Sequence, residues 1–307
     1  MDVTTEYRNR STQMWRPTEG PPRIDGMKST GEISTAAVDM ESRYPVGPET
    51  VRRFDEQGFV RLPDVLSRQA VERFEPEITT KVIELNTMHL PMAERSTYQK
   101  AFLQVGNLWR HSGLVRELVF SNRLARLAAE LMGVEGVRLY HDQALYKETG
   151  GGITPWHADQ YYWPLSSDRC CTAWIPLQAT PVEMGALSFA VGSHRFEVGR
   201  DLEISDTSER EVQAALAAQR FAVAQEPYDV GDVSFHQGWT FHRAGRNGSQ
   251  TPRRVMTVIY LDADLALAEP VNANQEDAVR RYLPGIAPGE VPDTPTTPVL
   301  YRAATAS

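Results

Sequence analysis

The sequence predicts a mainly β protein, an antiparallel sandwich or barrel with helices outside it, and three observations point that way. After Gly136, short aromatic and β-branched runs follow one another in VRLYHDQALYK, CTAWIPLQA, ALSFAVG, YDVGDVSFH, WTFHRAG and RRVMTVIYLD; this is the composition of half-buried strands. Gly, Pro and Asn punctuate them, without the helix after each strand that parallel βαβ units require. Helical patterning is concentrated in the first 135 residues. With 307 residues, 41% of them hydrophobic, the chain carries enough apolar surface for a sizeable core.

Taken in order, residues 1–45 are rich in Thr, Ser, Gly, Pro and charge and lack apolar periodicity, so a polar arm is expected there, with Trp15 as its one anchor to the body. FDEQGFVRLPDVL reads as a short strand and turn. Ser67 stands at the N-cap position before RQAVERFEPEITTKVIELNTM, a helix with one apolar face. A second helical zone covers residues 114–131, with Ser121 as an internal cap and Gly133 as the stop. Within the β region, residues 195–225 contain the polar, helix-prone ISDTSEREVQAALAAQR and read as a lid-like insertion over one end of the barrel. The Pro-rich PGIAPGEVPDTPTTPV predicts an extended or mobile tail over 284–307. The organisation expected is therefore an arm, one domain over 46–283 with its barrel core at about 136–265, and a tail.

Lys and Arg total 32 against 40 Asp and Glu, a formal net charge of −8. No broad basic footprint is offered to a phosphate backbone, so nucleic acid is not the expected partner. The two cysteines, Cys170 and Cys171, are adjacent and poorly placed for a disulfide, which favours a reducing compartment. MDVTTEYRNRSTQMWRPTEG lacks an apolar signal core, and no stretch approaches the ~20 apolar residues of a membrane span. A cytoplasmic protein is expected, and a homo-oligomer is compatible with the sequence.

The chemistry starts at Trp156-His157-Ala158-Asp159. Side chains at i and i+2 of a strand share a face, which would direct His157 and Asp159 into one space. His236 and His242 lie in later strand-like runs, and either would complete two His and one carboxylate, the facial triad of non-haem Fe(II) oxygenases. His242 is followed by RAGRNGSQTPRR, placing Asn247 and Arg253 across a turn. A guanidinium there suits the distant carboxylate of 2-oxoglutarate; the plainer alternative is a solvated Arg253–Arg254 pair.

These motifs sit inside QALYKETGGGITPWHADQYYWPL, CTAWIPLQATPVEMGALSFAVGSH and GDVSFHQGWTFHRAGRNGSQTPRR, preceded by GFVRLPDVLS. In those blocks, over about residues 50–265 and in the same order, the sequence resembles the phytanoyl-CoA dioxygenase family of Fe(II)- and 2-oxoglutarate-dependent oxygenases. The resemblance implies a double-stranded β-helix, a cupin-like jelly roll. It implies metal ligands at His157, Asp159 and His242, the 2-oxoglutarate carboxylate on Arg253, Gln143 and Trp174 along the co-substrate pocket, and Lys147 as a lesser member of it. It also implies 2-oxoglutarate and O2 as co-substrates and hydroxylation of a C–H bond, in a specialised metabolite for example, as the default outcome. Asp159 stands where related halogenases keep a small residue, which speaks against halogenation. Ala244 replaces a hydroxyl residue that many members aim at 2-oxoglutarate. The competing readings are a cupin-like metalloenzyme that does not use 2-oxoglutarate and a non-catalytic ligand-binding barrel.

Other residues carry two readings each. Tyr161, Tyr162 and Trp163 are substrate-pocket candidates and equally ordinary core aromatics; Phe102 and Trp109 are further pocket candidates. His236 fits a hydrogen-bonding role beside the metal better than a ligand role, because it lacks the offset to Asn247 and Arg253. His141 reads as a plain strand residue, while the VGSH motif with His194 is expected to border the site. Ser188 and Ser193 lack an Asp–His partner for nucleophilic catalysis.

Overall fold

A computed structural model describes residues 40–304. The expectation for residues 1–39, including Trp15, lies outside the described residues, as do residues 305–307. Residues 40–44, counted above with the arm, pack on the body: Met40 is buried, its carbonyl accepts from Ser121 Oγ, and Tyr44 Oη donates to Pro63 O.

FDEQ corrects the reading of a strand at that point, because it closes helix α1 (Pro48–Gln57). Pro48 begins the helix where its missing N–H costs nothing. Gly58 ends it at φ +82°, and a Cβ there would stand 2.5 Å from His194 Nδ1. Strand β1 (Phe59–Leu62) follows. Helix α2 (Arg68–Leu85) is capped by Ser67, whose Oγ accepts from Ala70 N at 3.1 Å. Next come α3 (Thr97–Ala101), β2 (Leu103–Gly106), α4 (Gly113–Val119) and α5 (Asn122–Met132). Ser121 caps α5 and Gly133, at φ +64°, stops it, as the sequence predicts.

The β region holds β3 (Gly136–Tyr146), β4 (Thr154–His157), β5 (Cys170–Pro176), β6 (Leu187–Ala190), β7 (Val223–Gln225), β8 (Val233–Gln237), β9 (His242–Ala244), β10 (Val255–Asp262) and β11 (Val299–Arg302). The larger antiparallel sheet runs β1-β8-β5-β10-β3-β11, with β2 also on β3; the smaller runs β4-β9-β6-β7. Together they form the double-stranded β-helix. Phe59 of one sheet stacks on Phe189 of the other at 4.3 Å, within the apolar filling between the sheets.

Two corrections concern the β region. Residues 195–225 are more than an insertion over the barrel mouth. Helix α6 (Asp206–Ala218) buries Val212 and Leu216 against Trp156 and Phe241, on the face of the smaller sheet opposite to His157 and His242, and residues 223–225 are β7 itself. Of this stretch, only residues 203–206, up to the first residue of α6, reach the cavity described below. The Pro-rich tail follows helix α7 (Ala273–Tyr282) and is anchored, since β11 pairs with β3. Its anchor is Arg138, 3% exposed, which donates from Nη1 to Pro292 O at 2.6 Å and Thr297 O at 2.9 Å, and from Nε to Ala263 O at 2.8 Å.

Arg138→Met should cost about 2–3 kcal/mol, because three buried carbonyls lose a charged donor. Denaturant unfolding measures the loss, and limited proteolysis should cut first between 284 and 304.

Candidate active site

The larger sheet presents two rows of side chains to its interior. Register aligns His236, Thr172, Ile259 and His141 across β8, β5, β10 and β3, and one step along it aligns Trp174, Thr257 and Gln143. Opposite them, β4 ends at His157 and β9 begins at His242, a cross-strand pair with ring centroids 4.1 Å apart. Asp159 lies just past β4, opening a 3-10 turn over Asp159–Tyr162; it meets His157 from that turn, not from a shared strand face.

Potential ligand atoms of His157, Asp159 and His242 lie within 4.8 Å of one another. Asp159 Oδ1 is 3.6 Å from His157 Nε2 and 3.7 Å from His242 Nε2. His157 Nδ1 faces Pro155 O at 2.8 Å, and His242 Nδ1 faces Thr240 O at 3.0 Å. A carbonyl only accepts, so each Nδ1 carries the proton and each Nε2 presents a lone pair to the shared space. Burial, then the neighbouring His157 and His236 rings, hold His242 well below the ordinary imidazole range. Burial opposes ionisation of Asp159, but His242, His157 and His236 outweigh it and keep the carboxyl well below its usual range. Two imidazoles and one carboxylate converging on one space fit a divalent metal of the Fe(II) type.

His236 is placed beside this set, not in it. Its Nε2 lies 3.1 Å from Asp159 Oδ2, and Thr172 Oγ1 donates to the same oxygen at 2.8 Å. Oδ2 is thus occupied by two neighbours in the larger sheet, and Oδ1 faces the histidines.

These residues line a cavity of about 870 Å³ that runs from buried Arg253 to an exposed rim at Glu203, Asp206 and Arg281. Arg253 is 1% exposed; its Nη1 donates to Gly185 O at 2.6 Å, its Nε has no partner, and among the described residues no carboxylate pairs with it. Burial lowers the guanidinium to about 10, so it stays charged at neutral pH. Asn247 shapes the turn that delivers it, donating from Nδ2 to Lys147 O at 3.1 Å and Thr251 O at 2.8 Å. A buried, unpaired guanidinium at the closed end of a cavity is a receptor for a carboxylate.

Gln143, Trp174, Phe102, Tyr162 and Trp163 all line the cavity. Tyr161 does not; its carbonyl accepts from Asn272 and Gln275 and so positions α7. Lys147 also stands outside, fully buried, with Nζ donating to Gly152 O and Thr154 Oγ1. Burial, Arg253 and Arg246 hold its pKa well below the ordinary lysine range. Trp109 packs on Phe120, and His194 lies beneath Gly58; neither lines the cavity. Several lining residues were not singled out from the sequence: Thr172, Thr257, Tyr98, Tyr282 and, as a site residue, His141. The signal for Thr172 and His141 was present, because they alternate with Trp174 and Gln143 on their strands. His141 stacks on Tyr282 at 4.1 Å, and burial lowers its pKa to about 4, leaving a neutral ring in the wall.

The phytanoyl-CoA dioxygenase family matches residues 54–255, about two thirds of the chain. The chain belongs to that family. It is a non-haem iron, 2-oxoglutarate-dependent dioxygenase that acts on a small molecule. The protein named "Probable alpha-ketoglutarate-dependent hypophosphite dioxygenase" of Stutzerimonas stutzeri is 25% identical over 232 residues, covering 70% of this chain and 79% of that one. The alpha-ketoglutarate-dependent carbocyclase SnoK of nogalamycin biosynthesis superposes with a TM-score of 0.69 at 27% identity, covering 83% of this chain and 96% of its own. The epimerase SnoN, in a structure with Fe3+, alpha-ketoglutarate and nogalamycin RO, gives 0.69 at 26% identity, covering 82% and 98%. Fe(II) and 2-oxoglutarate, with O2, are the cofactor and co-substrates. Among the described residues no helix is long and apolar enough to cross a membrane.

The placement of His236 separates it from His242 by experiment. His242→Ala should abolish Fe(II) binding in a chelator competition, whereas His236→Gln should weaken it by roughly tenfold.

Proposed function

We propose that His157, Asp159 and His242 hold the iron, that Arg253 binds the distal carboxylate of 2-oxoglutarate, and that the enzyme hydroxylates a C–H bond of an organic molecule, in specialised metabolism. The observation that carries this reading is one cavity lined by both a converging His-Asp-His set and an unpaired, buried guanidinium. When bound, the iron supplies oxidative decarboxylation of 2-oxoglutarate to succinate and carbon dioxide, coupled to oxidation of the substrate. The chain's own part is placement. Trp174 lies beside the Arg253 guanidinium, 5.5 Å from its carbon, and Gln143 lines the same pocket with its Oε1 engaged by Gln104 Nε2.

The volume supports a large substrate, since about 870 Å³ lies toward the upper end of the ~300–1,000 Å³ typical of drug-sized ligand sites. Tyr98, Phe102, Tyr162 and Trp163 offer aromatic surface to it, and Ile204 N donates to Tyr162 Oη at 2.8 Å, closing the rim segment over that wall. This rim segment, residues 203–206, is the part of the former insertion that we assign a lid role. The buried, unpaired Cys170 and Cys171 support a cytoplasmic location. A second reading of the outcome, ring closure or epimerisation, is favoured by the likeness to SnoK and SnoN; mass analysis of the product distinguishes it by the absence of a net added oxygen.

Arg253→Met should raise the 2-oxoglutarate KM by about 10–100-fold, the loss of a charge-assisted pair. The same variant should leave the metal-free protein as stable or more so, since it removes a buried charge with no carboxylate partner. Succinate release with Fe(II) and 2-oxoglutarate gives the first quantity and thermal melting the second. An unchanged KM overturns the assignment of Arg253.

A further inference from the structure

Glu209 stands behind the metal site, on the first turn of α6 and outside the cavity. Strands β4 and β9 pair through Thr154 with Ala244 and His157 with His242, and the register shifts between these pairs, three steps on β4 against two on β9. Such a bulge leaves a residue out of the ladder and re-aims the side chain that follows. Pro155 has no N–H, and the N–H of Trp156 donates to Glu209 Oε2 at 2.9 Å. On the other side of the same peptide, Pro155 O accepts from His157 Nδ1 at 2.8 Å. The carbonyl of Pro155 and the N–H of Trp156 belong to one planar unit, so fixing one end fixes the direction of the other. Glu209 Oε1 meets Arg243 Nη1 at 2.8 Å, on the residue after His242.

We propose that Glu209 is a positioning residue for the metal site: its carboxylate locks the Pro155–Trp156 peptide plane, and that plane holds the His157 ring with Nδ1 protonated and Nε2 turned to the metal. The proposal rests on His157 being a ligand. The competing role is the ion pair with Arg243 alone, which would tie α6 to β9 without aiming a ligand.

Two conservative variants separate the roles. Glu209→Gln keeps an oxygen within reach of the Trp156 N–H but loses the charge facing Arg243. Glu209→Asp keeps that charge, which the long Arg243 side chain can follow, but draws the oxygen back by one methylene. The probe is Co(II), added anaerobically to the metal-free protein and followed by its visible bands, with thermal melting beside it. Positioning through the peptide predicts that Glu209→Gln binds Co(II) within about threefold of wild type. Glu209→Asp should bind roughly 10–100-fold more weakly and with altered bands, whichever variant melts lower. Wild-type affinity in Glu209→Asp, or weaker binding in Glu209→Gln than in Glu209→Asp, overturns the proposal. If His157→Ala binds Co(II) as well as wild type, the ligand assignment itself fails, and the proposal with it.

Discussion

The carboxylate of Asp159 ties the two sheets together at the candidate metal site. It follows a strand of the smaller sheet, and its Oδ2 accepts from Thr172 and from His236 in the larger one. Burying a carboxylate is costly unless hydrogen bonds and counter-charge replace its water. Here Thr172 Oγ1 and His236 Nε2 hydrogen-bond Oδ2, and the carboxyl is held well below its usual range. Because Oδ2 has two partners, Oδ1 is the oxygen left toward His157 and His242. In the metal site proposed here, the same contacts that close the sandwich would therefore select which oxygen serves the metal and from which direction.

Everything else in the cavity is arranged around that fixed point. At the closed end, the turn stapled by Asn247 delivers Arg253, which has no carboxylate partner among the described residues, and Trp174 fills the space beside it. A charge left unpaired in the interior is a liability that the proposed carboxylate partner would relieve. At the open end, the rim draws on four separate segments: Thr97 donates to Asp206, Ile204 N to Tyr162, and Asn274 to Glu203. These are few, largely exposed polar contacts, the kind of closure that opens at small cost. A rigid wall and a loose rim suit the lid role proposed for residues 203–206.

The sequence carried much of this in local form. His157 and Asp159 were legible as a two-residue step, Arg253 through its spacing from His242, and the caps Ser67, Ser121 and Gly133 through their side chains and φ preferences. Thr172 and His141 were legible too, by strand alternation with Trp174 and Gln143, although they lack a motif of their own. Contacts that depend on distant packing were not legible. Glu209 reaches Trp156 across 53 positions, and the bulge that creates its role is a property of two short strands meeting. The tail's pairing with β3 was hidden because its Pro-rich composition resembles a free linker, while its anchor, Arg138, lies in another strand. Tyr161 and Tyr162 illustrate the same limit: the adjacent aromatics share a 3-10 turn and touch each other, yet only Tyr162 lines the cavity.

The most direct test of the account is an anaerobic titration of the metal-free protein with Fe(II) and then 2-oxoglutarate, recording the weak visible charge-transfer band near ~500 nm that a 2-oxo acid chelated to ferrous iron produces. The band should appear only when both are present and be absent in His157→Ala. Iron binding without the band on saturation with 2-oxoglutarate would contradict it and leave a metal-binding barrel that does not use this co-substrate.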